Sequence, residues 1–379
     1  MPWKEVKKMS SKREFVEQAI KSGVNLSELC KRYGISRPTG YQLLKRYKSH
    51  GIIGLKERSK RPKNSPTKTK ESMEQLILSV RDEHFSWGCR KIYHYLLKQG
   101  VTGLPHPNTI TDILRRHDRL YDWRQTEPKK PYKRFERAHP NELWQMDFKG
   151  HFPLNKQRCH PLTILDDHSR FSIVLEACSN EQLETVRQCL IKVFRRYGLP
   201  DQINVDNGPP WGSAGYRGYT QLSVWLMRLG IFVSYSKPHH PETNGKDERF
   251  HRTLKQEVLN RYSLGTLDEA QRCFDKWRDE YNMERPHEGL GYEVPLSRYY
   301  PSEKPYLEQL PEIEYFDTDI VKQVRPSNGV INFSGVSIFI GYAFKGEQIA
   351  IRETEESGVY NIFYCQNKIK KIDMNRLKK

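Results

Sequence analysis

The chain has 379 residues, 36% of them hydrophobic and 29% charged, with a formal net charge of +18. That balance speaks against a disordered chain, and no apolar run approaches the roughly 18 to 20 residues that a membrane span needs. Its seven cysteines are scattered and form no CxxC pair, so neither a zinc knuckle nor a disulfide framework is indicated.

The length predicts roughly two to four domains. Met1-Pro2-Trp3-Lys4 lacks the apolar stretch of a secretory signal, and a reducing, cytoplasmic setting is expected. The charge is unevenly placed. Residues 1–140 carry 32 Lys and Arg against 14 Asp and Glu, whereas residues 141–379 carry 32 against 32. A basic excess confined to one segment points to a phosphate-binding module joined to a neutral one.

The first 55 residues predict three short helices. Ser11 to Ser22 forms the first, with Phe15, Ala19 and Ile20 inward. Asn25 caps a second, in which Leu26, Leu29 and Cys30 repeat at helical spacing. Gly34-Ile35 turns the chain, and Ser36 caps a third helix with Pro38 in its first turn and Tyr41, Leu44 and Tyr47 as its inner stripe. A helix, a glycine turn and a capped basic helix make a helix-turn-helix pattern. Arg37, Thr39, Gln42, Lys45 and Arg46 fall on its outer side and are the candidates for a DNA groove. A small bundle with a solvated basic face is the other reading.

Residues 56–70 hold seven Lys and Arg, two prolines and nothing apolar, and predict an extended linker. Residues 71–123 predict a second helix-turn-helix unit. Leu76, Ile77 and Val80 stripe one helix, and Ile92, Tyr95 and Leu96 the next. Asn108 caps a third, with Ile110, Ile113 and Leu114 inside. Arg115 and Arg116, near its end, either meet DNA or complement the helix dipole. Residues 124–140 predict another basic linker.

The composition changes at Asn141, and residues 141–300 predict an α/β domain. Leu143 to Phe148 alternates as a strand does. Leu162–Leu165 and Phe171–Leu175 follow, joined by the turn Asp166-Asp167-His168-Ser169. A helix over about 181–197 stops at Gly198-Leu199-Pro200. Ile203–Val205 is a fourth strand that ends at Asp206. A loop, a helix over about 220–229, a fifth strand at Ile231–Tyr235 and a helix over about 246–261 come next. Thr266 and Glu269 form a capping box for a final helix to about 281. Three strands in meander, then alternating helices and strands, is a ribonuclease-H-like order. Residues 315–379 predict five short strands and a small β-barrel.

Three acids stand where this order would converge them. Asp147 lies mid-strand where an ordinary core prefers Val or Ile, and a lone buried carboxylate is costly. Asp206 closes a strand, where open sheets place function, although a turn also accounts for it. Glu248 sits in the first turn of a helix, where the dipole also accounts for it. Phosphoryl transfer asks a protein chiefly for alignment and charge neutralisation. Two Mg²⁺ ions roughly 3.5 to 4 Å apart meet both needs, and hard cations take carboxylate oxygens. Glu248, Arg252 and Lys255 share one helix face, and Phe250, Leu254 and Val258 occupy the other. That cationic face suits either a DNA backbone or salt bridges within the helix.

Trp144-Gln145-Met146-Asp147-Phe148, Val205-Asp206-Asn207-Gly208 and the long stretch from Pro241 to Lys255 resemble the three catalytic motifs of integrase-core (DDE) transposases of bacterial insertion sequences, relatives of retroviral integrases. Tyr281-Asn282 and Arg285-Pro286-His287 resemble the segment that follows them. The resemblance covers most of the chain. It implies a ribonuclease-H-like core behind N-terminal helix-turn-helix units. The enzyme it implies cuts at element ends and joins the 3′-hydroxyl to target DNA. Asp147, Asp206 and Glu248 would be its catalytic and metal-holding acids.

The implied cofactor is Mg²⁺, two per site, with Mn²⁺ as substitute. Zinc is not implied, because the His-His-Cys-Cys module of the retroviral relatives is missing. The implied partners are double-stranded DNA, as terminal inverted repeats and target, and further copies of the chain in a synaptic complex; no membrane partner is implied. Forty-one residues separate Asp206 from Glu248 and 35 separate it from Glu242, the latter count being frequent in the family. Glu248 is nevertheless preferred, because the family's acid follows the Asn-Gly turn by three positions and Glu242 precedes it. Asp247 points about 100° away from Glu248 on the helix and is the weaker candidate. Asp166 and Asp167 are explained by their turn. A catalytically inactive DNA-binding regulator is the alternative function, and a plain nuclease a further one.

Overall fold

The computed structural model describes residues 5–57, 68–120, 136–213, 218–236, 245–310 and 312–377. Most of the linker at 56–70, most of that at 124–140, and Pro241 to Asn244 with Glu242 lie outside the described residues. The chain divides into two compact units, Met1–Lys68 and Thr69–Lys379.

In the first unit, α1 (Glu5–Ala19), α2 (Leu26–Arg32) and α3 (Arg37–His50) pack around Phe15, Val16, Leu29, Cys30 and Leu43. Asn25 caps α2 by accepting from the Ser27 N–H, at 3.0 Å, and Ser36 caps α3 by accepting from the Thr39 N–H. The inner face of α3 differs from the expected stripe. Gly40 and Leu43 are buried, whereas Tyr41 is 59% exposed, and on α1 Val16 replaces Ile20. The cause is close helix crossing. A Cβ on Gly40 would lie 2.5 Å from Cys30 Sγ and 3.1 Å from the Phe15 ring, so only glycine lets α3 approach this near.

The second unit opens with α4 (Glu71–Glu83), α5 (Cys89–Lys98) and α6 (Pro107–Arg116) around Ile77, Val80, Trp87, Ile92, Leu96, Ile110, Ile113 and Leu114. Leu76 lies at the rim of this core. His106, rather than Asn108, caps α6: its Nδ1 accepts from the Asn108 N–H at 3.2 Å. Arg115 pairs with Asp112, and Arg116 with Glu74 at 2.9 Å, so both find acids within this helical unit.

The α/β core is a six-stranded sheet. Its strands are β1 (Trp144–Phe148), β2 (Phe152–Pro153), β3 (Arg158–Asp166), β4 (Ser172–Cys178), β5 (Gln202–Val205) and β8 (Phe232–Tyr235). The order is β2-β3-β1-β5-β8, with β4 pairing β3; β1 runs antiparallel to β3 and parallel to β5. β6 (Gly212–Ser213) and β7 (Gly218–Tyr219) form a small hairpin. The core helices are α7 (Leu183–Tyr197), α8 (Gln221–Arg228), α9 (Gly245–Leu254) and α10 (Leu267–Met283). Helix α7 packs Val186, Leu190, Val193 and Phe194 under the sheet beside Trp144, Ile164 and Ile203. On the other side, Phe250 and Leu254 of α9 meet Phe274 and Trp277 of α10. A π turn, Lys255–Leu259, continues α9. This is a mixed α/β core in the strand and helix order expected of a ribonuclease-H-like fold, with helical segments ahead of it in the chain.

The C-terminal part holds β9 (Ile320–Gln323), β10 (Val330–Phe333), β11 (Val336–Phe339), β12 (Gln348–Glu353), β13 (Val359–Tyr364) and β14 (Asn367–Asp373). The expected small barrel is found as an open four-stranded sheet, β14-β13-β12-β9, and a separate β10-β11 hairpin. Among the described residues no ladder closes the two into a barrel. Strand β9, two apolar residues followed by two polar ones and all on the exposed side, gave no alternating signal, and its pairing along β12 sets the sheet's edge.

Candidate active site

Strand β1 lies between β3 and β5, and this central position half-buries Asp147. Its cross-strand partner on β3 is Thr163, which is fully buried. The Asp147 carboxylate accepts from the Phe148 N–H at 2.8 Å, and its backbone carbonyl accepts from Thr163 Oγ1 at 2.9 Å. Helix α9 packs across this point and brings Asp247 and His251. Thr163 Oγ1 lies 2.8 Å from His251 Nε2 and 3.3 Å from Asp247 Oδ1. One ligand atom from each of Asp147, Asp247 and His251 falls within 4.8 Å of the others.

Electrostatics ties two further acids to this cluster. Asp147 is pushed up to about 7, first by burial and then by the charge of Asp206, against the Phe148 hydrogen bond. Asp247 stands well above the ordinary carboxylate range through burial, then Asp147, with Asp206 and Glu248 adding to the effect. His251 is pulled down to about 3 by burial, with Lys149 contributing, so its imidazole is neutral at neutral pH. Asp206 is exposed immediately after β5, and Glu248 is exposed in the first turn of α9.

The donor set fits a divalent cation. Carboxylates crowded this closely repel one another unless a cation or a proton intervenes. One buried oxygen, Asp247 Oδ2, has no hydrogen-bond partner. Carboxylate oxygens are the ligands that Mg²⁺ and Mn²⁺ prefer, and a neutral imidazole extends the set toward the softer Mn²⁺.

The structure brings Asp147, Asp206, Asp247 and Glu248 into one electrostatic neighbourhood, but it buries Asp247 where the sequence reading favoured Glu248. Which of the two faces the sheet follows from the packing of Phe250 and Leu254. His251 was missed. Its i, i+4 spacing from Asp247 puts both on one helix face, a signal present in the sequence and not weighed. Thr163 could be found only from the strand register. Asp166 accepts from the Asn141 N–H at 2.8 Å and from Ser169 Oγ at 2.6 Å, and Asp167 accepts from the Gln145 amide at 2.9 Å and pairs with Lys246. Both are thus spent on the fold.

The other candidates divide. Arg252 and Lys255 are exposed along α9 and its π turn, and Arg37, Thr39, Gln42 and Lys45 are exposed on α3. Arg46 is the exception: half-buried, it donates to the Lys56 carbonyl and closes the turn after α3.

Parts of the chain are similar to known families and proteins. Profiles described as "Integrase core domain" match residues 137–241 and 229–295. A "Helix-turn-helix domain" matches 11–63 and a "Homeodomain-like domain" matches 39–114. An "IS481 family transposase, C-terminal domain" matches 319–379. An uncharacterized 39.2 kDa protein of insertion element IS476 from Xanthomonas euvesicatoria is 25% identical over 71% of this chain and 76% of its own length. The transposase for insertion sequence element IS904 from Lactococcus lactis is 28% identical over 56% of this chain and 73% of its own length. The HTLV-2 integrase catalytic core domain, solved in complex with magnesium, aligns with a TM-score of 0.33 at 19% identity, over 43% of this chain and 99% of that one. On its integrase core, its helix-turn-helix domains and its insertion-sequence relatives, the chain belongs to the integrase-core, DDE-type transposases of bacterial insertion sequences.

Proposed function

We propose that this transposase binds the ends of its mobile element and cuts and joins DNA at Asp147, Asp206 and Glu248, with Mg²⁺ or its substitute Mn²⁺ as cofactor. The observation that carries this reading is the buried Asp247 oxygen that accepts no hydrogen bond, 3.5 Å from His251 Nε2 and set among Asp147 and the charges of Asp206 and Glu248. Two divalent ions there would neutralise the phosphate oxygens and acidify an attacking water or hydroxyl. Asp147 and Asp206, from adjacent parallel strands, would hold them, and Glu248 would complete the set from α9. Thr163 fixes the Asp147 backbone and the His251 ring, so the acids are held by the sheet before DNA arrives. Arg252 and Lys255 would lie along the phosphates of the bound end.

Residues 1–55, with Arg37, Thr39, Gln42 and Lys45 outward, would read the element end, residues 71–123 would add a second grip on it, and residues 141–300 would carry the chemistry. The parts at 56–70 and 124–140 would act as basic linkers and 315–379 as an accessory β domain. Two ends must be joined together, so the working form would be a complex of at least two copies, most simply with two-fold symmetry.

The test is incubation with element-end DNA, a target plasmid and Mg²⁺. Joined products are expected. Cutting without joining would favour a nuclease, and end binding with neither would favour an inactive regulator.

A further inference from the structure

We propose that the cavity between the α4–α5 loop and the end of the active-site helix receives one unstacked nucleobase of the bound element end. This rests on the reading of the chain as an enzyme acting on element ends, and it assigns that enzyme a base-binding subsite. The cavity has a volume of about 250 Å³ and is lined by Phe85, Ser86, Gln256, Asn260 and Arg261. Those five side chains supply what an extruded base needs: a flat surface to stack on and polar groups to meet its edge.

The Arg261 guanidinium lies 5.3 Å from the centre of the Phe85 ring and donates to the Glu83 carbonyl at 3.4 Å. A planar cation lying over an aromatic ring presents its own outer face as a stacking platform that attracts any base. Among the described residues, the side-chain amides of Gln256 and Asn260 make no hydrogen bond, and each offers both a donor and an acceptor. Amides of this kind pair in two-point fashion with the N6 and N7 edge of adenine.

Ser86, in the cavity wall, is tied to a buried carboxylate. Ser86 Oγ donates to Glu257 Oε1 at 2.5 Å, and Glu257 also accepts from Trp277 Nε1 at 2.9 Å and from Arg285 at 3.0 Å.

Position links the cavity to the acids. Gln256 is eight residues beyond Glu248, roughly 12 Å along the helix. The exposed Arg252 and Lys255 lie between them and suit the backbone that would run from one site to the other. A duplex strand advances roughly 3.4 Å per step, which places the captured base about three to four steps from the phosphate held at the acids.

The test uses the full-length chain, carrying Asp147→Asn to prevent turnover, on a duplex of the element's terminal repeat. 2-Aminopurine replaces one base at a time across the repeat. The expected result is a fluorescence change confined to about the third or fourth position. It should be lost in Phe85→Ala, together with roughly tenfold weaker end binding, in line with the stacking contribution of one aromatic. The Gln256→Ala/Asn260→Ala double variant, altered on the surface and so expected to fold, should bind the end but lose preference for the base at that position.

A flat fluorescence profile, with end binding and wild-type joining intact, would overturn the subsite and leave the proposed function standing. Absence of both end binding and joining in the wild type would overturn the two together.

Discussion

At the scale of residues, Asp147 and Asp247 are held above the ordinary carboxylate range by burial and by neighbouring acids. Asp147→Asn, Asp206→Asn and Glu248→Gln should each abolish strand joining and leave end binding nearly intact, because the basic excess of the chain lies elsewhere. Retained activity in Glu248→Gln, with activity lost in Asp247→Asn or Glu242→Gln, would move the third acid to one of those positions. A pH signature follows from Asp147, raised from an ordinary 3.8 to about 7. The folded state binds this proton more tightly than the unfolded chain does. Its contribution is therefore complete below about pH 4 and is lost as pH rises toward 7. Asp247 acts in the same direction, and His251, pulled down to about 3, acts in the opposite one. The difference between wild type and Asp147→Asn isolates the effect. In metal-free protein, the melting temperature of wild type should fall relative to that of the variant across this window. Mg²⁺, which binds the deprotonated acid, should restore it most near pH 7. Equal metal responses in both proteins would remove Asp147 from the metal site.

At the scale of elements, two features hold the working parts in place. Gly40 lets α3 cross against Cys30 and Phe15, and Gly40→Ala forces a methyl group into that contact. Overpacking of this kind costs about 1–3 kcal/mol. The variant should melt earlier in the first unit and bind ends more weakly, while the transition of the second unit stays unchanged by differential scanning calorimetry. The π turn after α9 is fixed by Glu257. Burial raises its carboxyl, but Arg285 and then Ser86 outweigh this and hold it below the usual range. Glu257→Ala leaves Arg285 buried without its partner, a loss of about 3–5 kcal/mol. Denaturant unfolding of the second unit should report it, and a change within 1 kcal/mol, roughly the value of an exposed pair, would show the hub to be dispensable. The Tyr281-Asn282 and Arg285-Pro286-His287 segments were legible only as a resemblance. In the fold, Asn282 bonds the Ser172 N–H and carbonyl at 2.8 and 3.0 Å, and Arg285 bonds Glu257, so the segment pins β4 and the active-site helix.

At the scale of the whole molecule, charge and chemistry are divided along the chain. Residues 1–140 carry the entire net charge of +18. That fragment should bind element-end DNA with a log-log salt slope of about −0.9 for each phosphate it neutralises. Gln42 and Arg37 variants should change sequence preference, while Lys60 and Lys63 variants should weaken binding to all sequences alike. An affinity that barely changes with salt would refute the electrostatic reading. Assembly can be tested by complementation. A copy carrying Asp147→Asn, mixed with one lacking residues 1–65, should recover joining if one copy grips an end that another cuts. No recovery from two folded, co-assembling proteins would mean that each copy acts on the end it holds.

The sequence by itself determined the order of the main helices and strands, the helix caps at Asn25, Ser36 and Thr266, the basic first third and the motifs around Asp147, Asp206 and Glu248. Each of these depends on a local period, a cap or a charge count, and all can be read without knowing which elements touch. The tertiary structure decided which acid faces inward. Helix α9 could present Asp247 or Glu248 to the sheet, and only the seating of Phe250 and Leu254 against α10 selects Asp247 and, one turn on, His251. It also decided that Thr163 faces Asp147, since strand register is set by pairing across the chain. It replaced Tyr41 with Gly40 on the inner face of α3, because helix-crossing distance is not written in hydrophobic periodicity. It left the C-terminal strands as an open sheet and a hairpin, since closure depends on whether strands meet at an edge and not on how many are predicted.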